Sequence, residues 1–512
     1  MPLPENGLKW PPPAFDKPHE KMREHDAWYS GDPTRLTGYY TRSTEAPTNR
    51  PSQYRGGVIG ALARFAWGRP VPQGQTDRRI HVPAPGDLAT ASADLLFSEA
   101  PRLVVADKTA KEAQKALDDL TSKAQLKSRL NEAGEVGAAL GGSFLRTWWD
   151  TGLADHPLLQ VVHPDRAYPD MVGGILTGVS FVHQVDEDGN GKVLRHVERH
   201  DRAGSGWVVL HGLYEGTRDN LGRAIDLKGH PATAGFAPRL DAPGGVPMVY
   251  YTPNMLPNPQ DRGSWLGRSD YTRSEALFDW LDETYSSWRR DVENGKGRLI
   301  VPTEYVDNLG PGRGTVFDLD RAVYHQLAIP PMGTTGSTPI TVAQFAIRVQ
   351  EHRDTCREIL TQIVTNGGYH PATFGLVEEG AAPATATEIR ARQARSFSTR
   401  AKKADYFRPS MAGAGRSLSA IAEEIFGVRG LSLDIDVTWP DGVAVDQLTL
   451  ANTAQLLRAA DAASDETIVR TVHPDWEPDQ VAAEVAAIVA KRDADRQAVL
   501  PDPGDPGDGF PA

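Results

Sequence analysis

Asp186, Asp188, Asn190 and Gly191 have the D-x-D-x-N-G spacing that opens a calcium loop, in which alternate oxygens wrap a hard cation. The twelfth position, which should close such a loop with a bidentate carboxylate, is Val197, and Glu198 comes one place late. The flanks also alternate as strands, so the stretch is predicted to be a hairpin turn. His-Pro-Asp occurs at 163–165 and again at 473–475. In co-chaperone J domains that tripeptide follows a basic helix. Here the first copy follows a strand-like run, and the helix before the second carries one basic residue, Arg470, so both read as local turns. Gly310, Gly312 and Gly314 are interrupted by Pro311 and lie between strand-like runs, which makes a turn rather than a phosphate cradle. There is no Walker A sequence, no HExxH, no GxSxG and no dinucleotide fingerprint after a strand. The lone Cys356 excludes an internal disulfide and a cysteine-rich zinc site. No catalytic residue, metal site or cofactor is expected.

Arg390, Arg392, Arg395, Arg400, Lys402, Lys403 and Arg408 form the densest basic stretch, and two roles are open to it. It could touch nucleic acid, or it could be a helix side that pairs with acids, here or on a neighbouring subunit. The 512-residue chain has a net charge of −12, which excludes a tight nucleic-acid binder as a whole. It does not exclude a surface along which DNA slides, because each neutralised phosphate adds an attraction that movement must break. Hydrophobic residues make up 39% and charged residues 24%, ordinary values for a globular protein of two to four domains. No apolar run reaches the 18–20 residues or so that a membrane span requires, and MPLPENGLKWPPP lacks a secretory apolar core.

The elements that would position these residues follow from periodicity. Residues 1–85, rich in Pro, Gly and Arg, read as a partly disordered arm with one or two helices. Residues 86–267 open with helices (87–98 and a pair over 108–141), then change to period two over 143–251, a β-rich region. Leu277, Trp280, Leu281 and Trp288 stripe a helix over 268–294, predicted to be about 40 Å long. A small β insert spans 298–340, and a second long helix, 341–365, carries Phe345, Val349 and Ile359. Residues 366–384 hold four glycines, two prolines and no Lys or Arg; a structureless loop of that length signals function or disorder. Thr385 and Glu388 form a capping box opening a third long helix, which Pro409 should kink or break. A strand near 431–439, three helices over 443–497 and a disordered tail at 498–512 complete an α+β chain.

That order of parts resembles the portal proteins of long-tailed double-stranded DNA phages, in detail those infecting high-GC actinobacteria, over roughly residues 85–497. FSEAPRLVV (97–105), NEAGEVGAALGGSFLRTWWD (131–150) and the stretch from Asn258 to Pro302 carry the resemblance. TATEIRARQARSFSTRAKK (385–403) and DVTWPDGVAVDQLTLANTAQLL (436–457) add to it. The resemblance implies a non-enzymatic ring, usually of twelve copies, at one capsid vertex of the virion. DNA would be packaged and ejected through it, touched only weakly and without sequence preference. It implies a wing (86–267 and 385–442), stem helices (268–297 and 341–365), a clip (298–340), a tunnel loop (366–384) and a helical crown (443–497). The tunnel loop would present Asn366, Tyr369, His370, Phe374, Glu378 and Glu379 to DNA. The clip, with Tyr305, Arg313 and Tyr324, would dock the terminase large subunit and later the head–tail adaptor. Major capsid and scaffold proteins are further implied partners, with assembly in the host cytoplasm. Two other readings stay open on the residues alone: a multidomain α+β enzyme whose site follows no short motif, and another ring-forming head-completion protein.

Overall fold

The computed structural model describes residues 3–43, 79–107, 109–188, 191–294, 298–300, 307–308, 315–316, 341–343, 347–376, 386–439, 447–473, 476 and 478–499. The chain divides into two compact units, Met1–Pro440 and Asp441–Ala512.

The first unit begins with α1 (Asp16–Ser30) and α2 (Pro33–Ser43), then α3 (Ala84–Phe97). Met22, Trp28, Leu36 and Tyr40 are buried in one core with residues of α3. The N-terminal stretch is therefore not only an arm. Gly31, at φ +65°, closes α1, and Pro33 opens α2, so residues that suggested disorder are helix punctuation. Strand β1 (Arg102–Val105) and helices α4 (Lys111–Lys123) and α5 (Leu126–Leu140) follow. Helix α5 ends at Gly141, φ +99°, where a Cβ would lie 2.6 Å from the Gly267 carbonyl oxygen. The missing side chain lets the two backbones close, and the Asn254 N–H donates to the Gly141 carbonyl at 3.0 Å.

The β-rich region contains β2 (Gly142–Trp148), β3 (Leu158–Val162), β4 (Ala167–Val172), β5 (Ile175–Glu187) and β6 (Val193–Ala203). It continues with β7 (Gly206–Thr217), β8 (Asn220–Ile225), β9 (Arg239–Asp241) and β10 (Val249–Pro253). Strands β4 to β8 form an antiparallel meander in chain order, and β9 pairs with β7 beyond the end of β8. Strand β2 lies between β10 and β3 in a second sheet. The calcium-like sequence begins in β5 at Asp186 and leads towards β6, and the Lys192 N–H donates to Asp188 Oδ1 at 2.8 Å.

Helix α6 (Glu275–Asn294) and helix α7 (Val349–Gly367) run antiparallel. Asn366 Nδ2 donates to the Arg273 carbonyl at one end, and Asp291 accepts from Arg348 and His352 at the other. Each helix is about 30 Å long by its rise per residue, not 40 Å. At the near end, residues 268–274 fold as turns because Ser269 Oγ donates to the Ala138 and Ala139 carbonyls, and Arg273 sits at φ +75°. Between the helices, β11 (Arg298–Ile300) pairs with β14 (Thr341–Ala343), and β12 (Asp307–Asn308) with β13 (Thr315–Val316). The insert thus returns beside the point where it departs.

Helix α8 (Ala386–Glu424) is 39 residues long and continues through Pro409. Proline removes the N–H that would bond the Asp405 carbonyl, but both residues are exposed, where water takes over that bond. The expected break therefore does not occur. Phe407, Met411, Ala414 and Leu418 of α8 pack with β1 and with β15 (Ile435–Thr438). At Gly413 a Cβ would lie 2.1 Å from the Tyr250 ring, so only glycine fits.

Among the described residues the second unit has three helices, α9 (Gln447–Ala459), α10 (Asp465–Val472) and α11 (Pro478–Val499). Asp465 ties them together, accepting from Arg458 at 3.1 Å and Arg492 at 2.7 Å. These two guanidinium groups hold its carboxyl below the usual range, the Arg492 hydrogen bond contributing most.

Candidate functional site

The α6–α7 hairpin is anchored along α6 by the N-terminal segment. Asp282, almost fully buried, accepts from the Tyr40 hydroxyl at 2.5 Å, from the Val82 N–H at 2.8 Å and lies 2.9 Å from His81 Nδ1. Arg79 pairs with Asp279. Glu275 opens α6, 2.6 Å from Lys21 Nζ and 3.1 Å from His25 Nε2. Burial works against its charge, yet the hydrogen bonds from His25 and Lys21 hold its carboxyl down to about 2. Farther along, Trp288 stacks on His352 of α7, ring centroids 6.0 Å apart. Trp280, Val292, Ile347 and Val349 are left exposed, Trp280 by 53%.

At the base of the hairpin, five segments meet around a buried ion pair. Lys403 Nζ of α8 lies 2.7 Å from Asp270 Oδ2, both side chains almost wholly out of solvent. Ser92 of α3 accepts from Lys403 at 2.8 Å, and Asn254 Nδ2 donates to Asp270 Oδ1 at 2.9 Å. The Tyr369 hydroxyl, just past the end of α7, is 2.7 Å from Ser92 Oγ and 3.0 Å from Asp270 Oδ2. Burial lowers the Lys403 pKa, with Asp270 opposing, and raises that of Tyr369 well above the ordinary phenol value. Every strong donor and acceptor in the cluster has a partner, as a charge kept from water requires.

One helical position away, the surface is of opposite character. Arg268, Arg273, Arg395 and Lys402 line a 400 Å³ recess together with Thr272, Ser398 and other polar groups. Its walls come from the turn before α6, the end of α7 and the first half of α8. Arg395 donates to the Thr365 carbonyl at 2.8 Å. None of the four cations pairs with a carboxylate among the described residues. The same residues contain no group of His, Cys, Asp or Glu able to hold a metal ion, and no helix long and apolar enough to cross a membrane.

The sequence matches the family described as phage portal protein, SPP1 Gp6-like, over residues 34–196 and 239–497. The chain belongs to that family. Portal proteins are structural, ring-forming components of the phage particle and not enzymes, and this portal protein is assigned to the virion on that ground. The stretch between the matched parts, 197–238, runs from within β6 through β7 and β8 to the connection before β9. No curated protein matches the chain. Among solved structures it is similar to a chain of "Neck of native GTA particle computed with C12 symmetry", at 14% identity and TM-score 0.40, covering 77% of this chain and 90% of that one. It is similar as well to a chain of "Virion of native gene transfer agent (GTA) particle", at 15% identity and TM-score 0.38, covering 81% and 99%.

The residues expected to meet DNA or neighbours in this portal protein fall in contrasting places. Tyr369, expected to be presented to DNA, is buried within the subunit in the Lys403–Asp270 cluster, where it supports the hairpin base. His370 caps the short helical turn Pro371–Phe374, accepting from the Ala372 N–H, and Phe374 packs edge-on to Tyr369. Asn366 lines the basic recess. Glu378 and Glu379 lie outside the described residues, as do Phe345, Tyr305, Arg313 and Tyr324. Leu281 and Ile359 are core, Leu277 packs against that core, and Trp280 and Val349 are exposed. Arg390 and Arg392 lie on α8, Arg395 and Lys402 at the recess. Arg400 is buried and donates to the Leu95 carbonyl at 2.9 Å, so it, like Lys403, does internal work that sequence had given to a surface.

Two clusters escaped sequence reasoning. Asp270 and Lys403 are 133 positions apart, and no spacing rule links them. On the meander, His196 and His211 are 3.1 Å apart and both stack on Phe236. Burial, with His211 adding to it, pushes His196 down to about 4. Beside them Arg146 and His200 hold a buried Glu198. Alternation along β6 places His196, Glu198 and His200 on one face, but no spacing rule links them to Arg146, His211 or Phe236.

Proposed function

We propose that the α6–α7 hairpin is the stem of this portal protein and the insert between its helices the clip. In this reading the β sheets and α8 form the wing, residues 366–384 the tunnel segment and the second unit the crown. The observation that carries it is a pair of antiparallel helices of nearly equal length, 20 and 19 residues, with a β insert at one end and apolar side chains on the outside. Helices that leave Trp280, Val292 and Val349 exposed are stabilised by a neighbour that covers them, and repeated side by side they enclose a hole. Duplex DNA passes through that hole, met by a chain of net negative charge that does not clamp phosphates. The copy number proposed is twelve. The clip docks the terminase large subunit during packaging and the head–tail adaptor afterwards, and the wing meets capsid and scaffold proteins.

Negative-stain class averages of the purified full chain test this. The expected images are rings with a central hole. Monomers alone at high concentration, with or without scaffold, would reject the ring. Replacing Trp280 by Asp should abolish rings while circular dichroism stays unchanged, because an exposed side chain contributes little to the fold of one subunit.

A further inference from the structure

We propose that the recess formed by Arg268, Arg273, Arg395 and Lys402 is half of an intersubunit ion-pair site, completed by carboxylates of a second copy of this chain. The inference rests on the portal reading and names a contact that closes the ring.

Two observations carry it. The first is charge left without compensation among the described residues. In a chain with 67 acidic and 55 basic residues, carboxylates are in surplus, and the neighbouring Lys403 has taken one. Yet four cations gather in one recess with no carboxylate among the described residues. Like charges held together raise the free energy of the isolated subunit, which an incoming anion relieves. The recess also offers hydroxyls at Thr272 and Ser398, and a guanidinium binds a carboxylate through two parallel hydrogen bonds.

The second observation is shape. A 400 Å³ recess admits one or two side chains. A DNA duplex carries its phosphates on a broad cylinder that cannot enter, and four phosphate-gripping cations per copy, repeated round a ring, would resist sliding. An acidic surface on a second copy has neither difficulty. Each subunit would offer its recess to one neighbour and its carboxylates to the other. Such a head-to-tail contact closes into a ring, where a self-complementary one would stop at a dimer.

The experiment follows assembly of the full-length chain by mass photometry and negative stain, from low to high salt, for the wild type, R395E/K402E and R395Q/K402Q. Duplex binding by fluorescence anisotropy is measured alongside. In wild type, rings should form and weaken as salt rises. R395E/K402E should stay unassembled. R395Q/K402Q, which removes charge without reversing it, should need at least about tenfold more protein to assemble, with an unchanged melting temperature. This second variant decides the matter if charge reversal disturbs folding. Rings from R395Q/K402Q at the wild-type concentration and salt dependence would overturn the proposal while leaving the portal reading intact. Normal rings that have lost duplex binding would overturn it too, and would give the recess to DNA. A wild type that never closes would instead reject the ring itself.

Discussion

Lys402 and Lys403 are adjacent on one helix and live in opposite surroundings. The Lys403 side chain is sealed with Asp270, Ser92 and Tyr369. That of Lys402 opens into a recess with three arginines. The turn before α6 shows the same split, since Arg268 faces the recess and Asp270 the core. A helix advances about 100° per residue and a turn reverses direction within two, so neighbours in sequence serve different solvents. Identical chemistry therefore fastens the subunit together at one position and lines an open recess at the next.

The sharpest way to break that contrast is Lys403→Met. It leaves Asp270 buried without its cation and should destabilise the fold by about 3–5 kcal/mol. Chemical denaturation would read this as a lower midpoint, whereas Lys402→Met should shift it by less than about 0.5 kcal/mol. A second large effect is expected from Glu275, the paired carboxylate at the other side of the hairpin base. Its folded pKa, about 2, lies below the unfolded value. Its stabilisation is therefore present above roughly pH 4.5 and is lost as pH falls towards 2. Glu275→Gln should remove on the order of 2 kcal/mol from the difference in stability between pH 6 and pH 2, read from urea midpoints. Tyr369→Phe keeps the ring and loses the hydroxyl, so a cost of about 1–2 kcal/mol is expected, with rings still forming. If Tyr369→Phe left stability untouched but impaired DNA passage, the residue would belong to the channel and the contrast would fail. The smallest change belongs to Pro409→Ala, which should alter stability by less than about 1 kcal/mol, because the freed carbonyl already meets water.

Periodicity and punctuation made much of the fold legible. The tryptophan and leucine stripe of 277–288, the turn at 188–192 and the three helices after 445 all rest on local rules, and the structure has elements there. What stayed hidden depends on distant partners. Nothing around Ser269 and Asp270 announces that they bond to α5 and α8 across 130 or more residues, so a helix was extended over them. Tyr369 sits in a stretch rich in glycine and looked exposed, but its ring is held by groups from three other segments. The N-terminal helices were masked by composition, since the Pro and Gly that lowered the helical signal are their own boundaries.

Helix α8 reaches from the hairpin base to the sheets. Ser396 near its start accepts from the His370 N–H, and Glu424 at its end accepts from the Gly244 N–H beside the sheets. It is about 58 Å of continuous helix with a core wrapped round its middle. Such a rod behaves as a lever on a fulcrum. A tilt of about 5° moves either tip by roughly 2–3 Å, counting 1.5 Å of rise per residue from its centre. Whatever displaces the segment next to the hairpin base is thereby felt beside the sheets, and a force on the sheets is returned to the hairpin base.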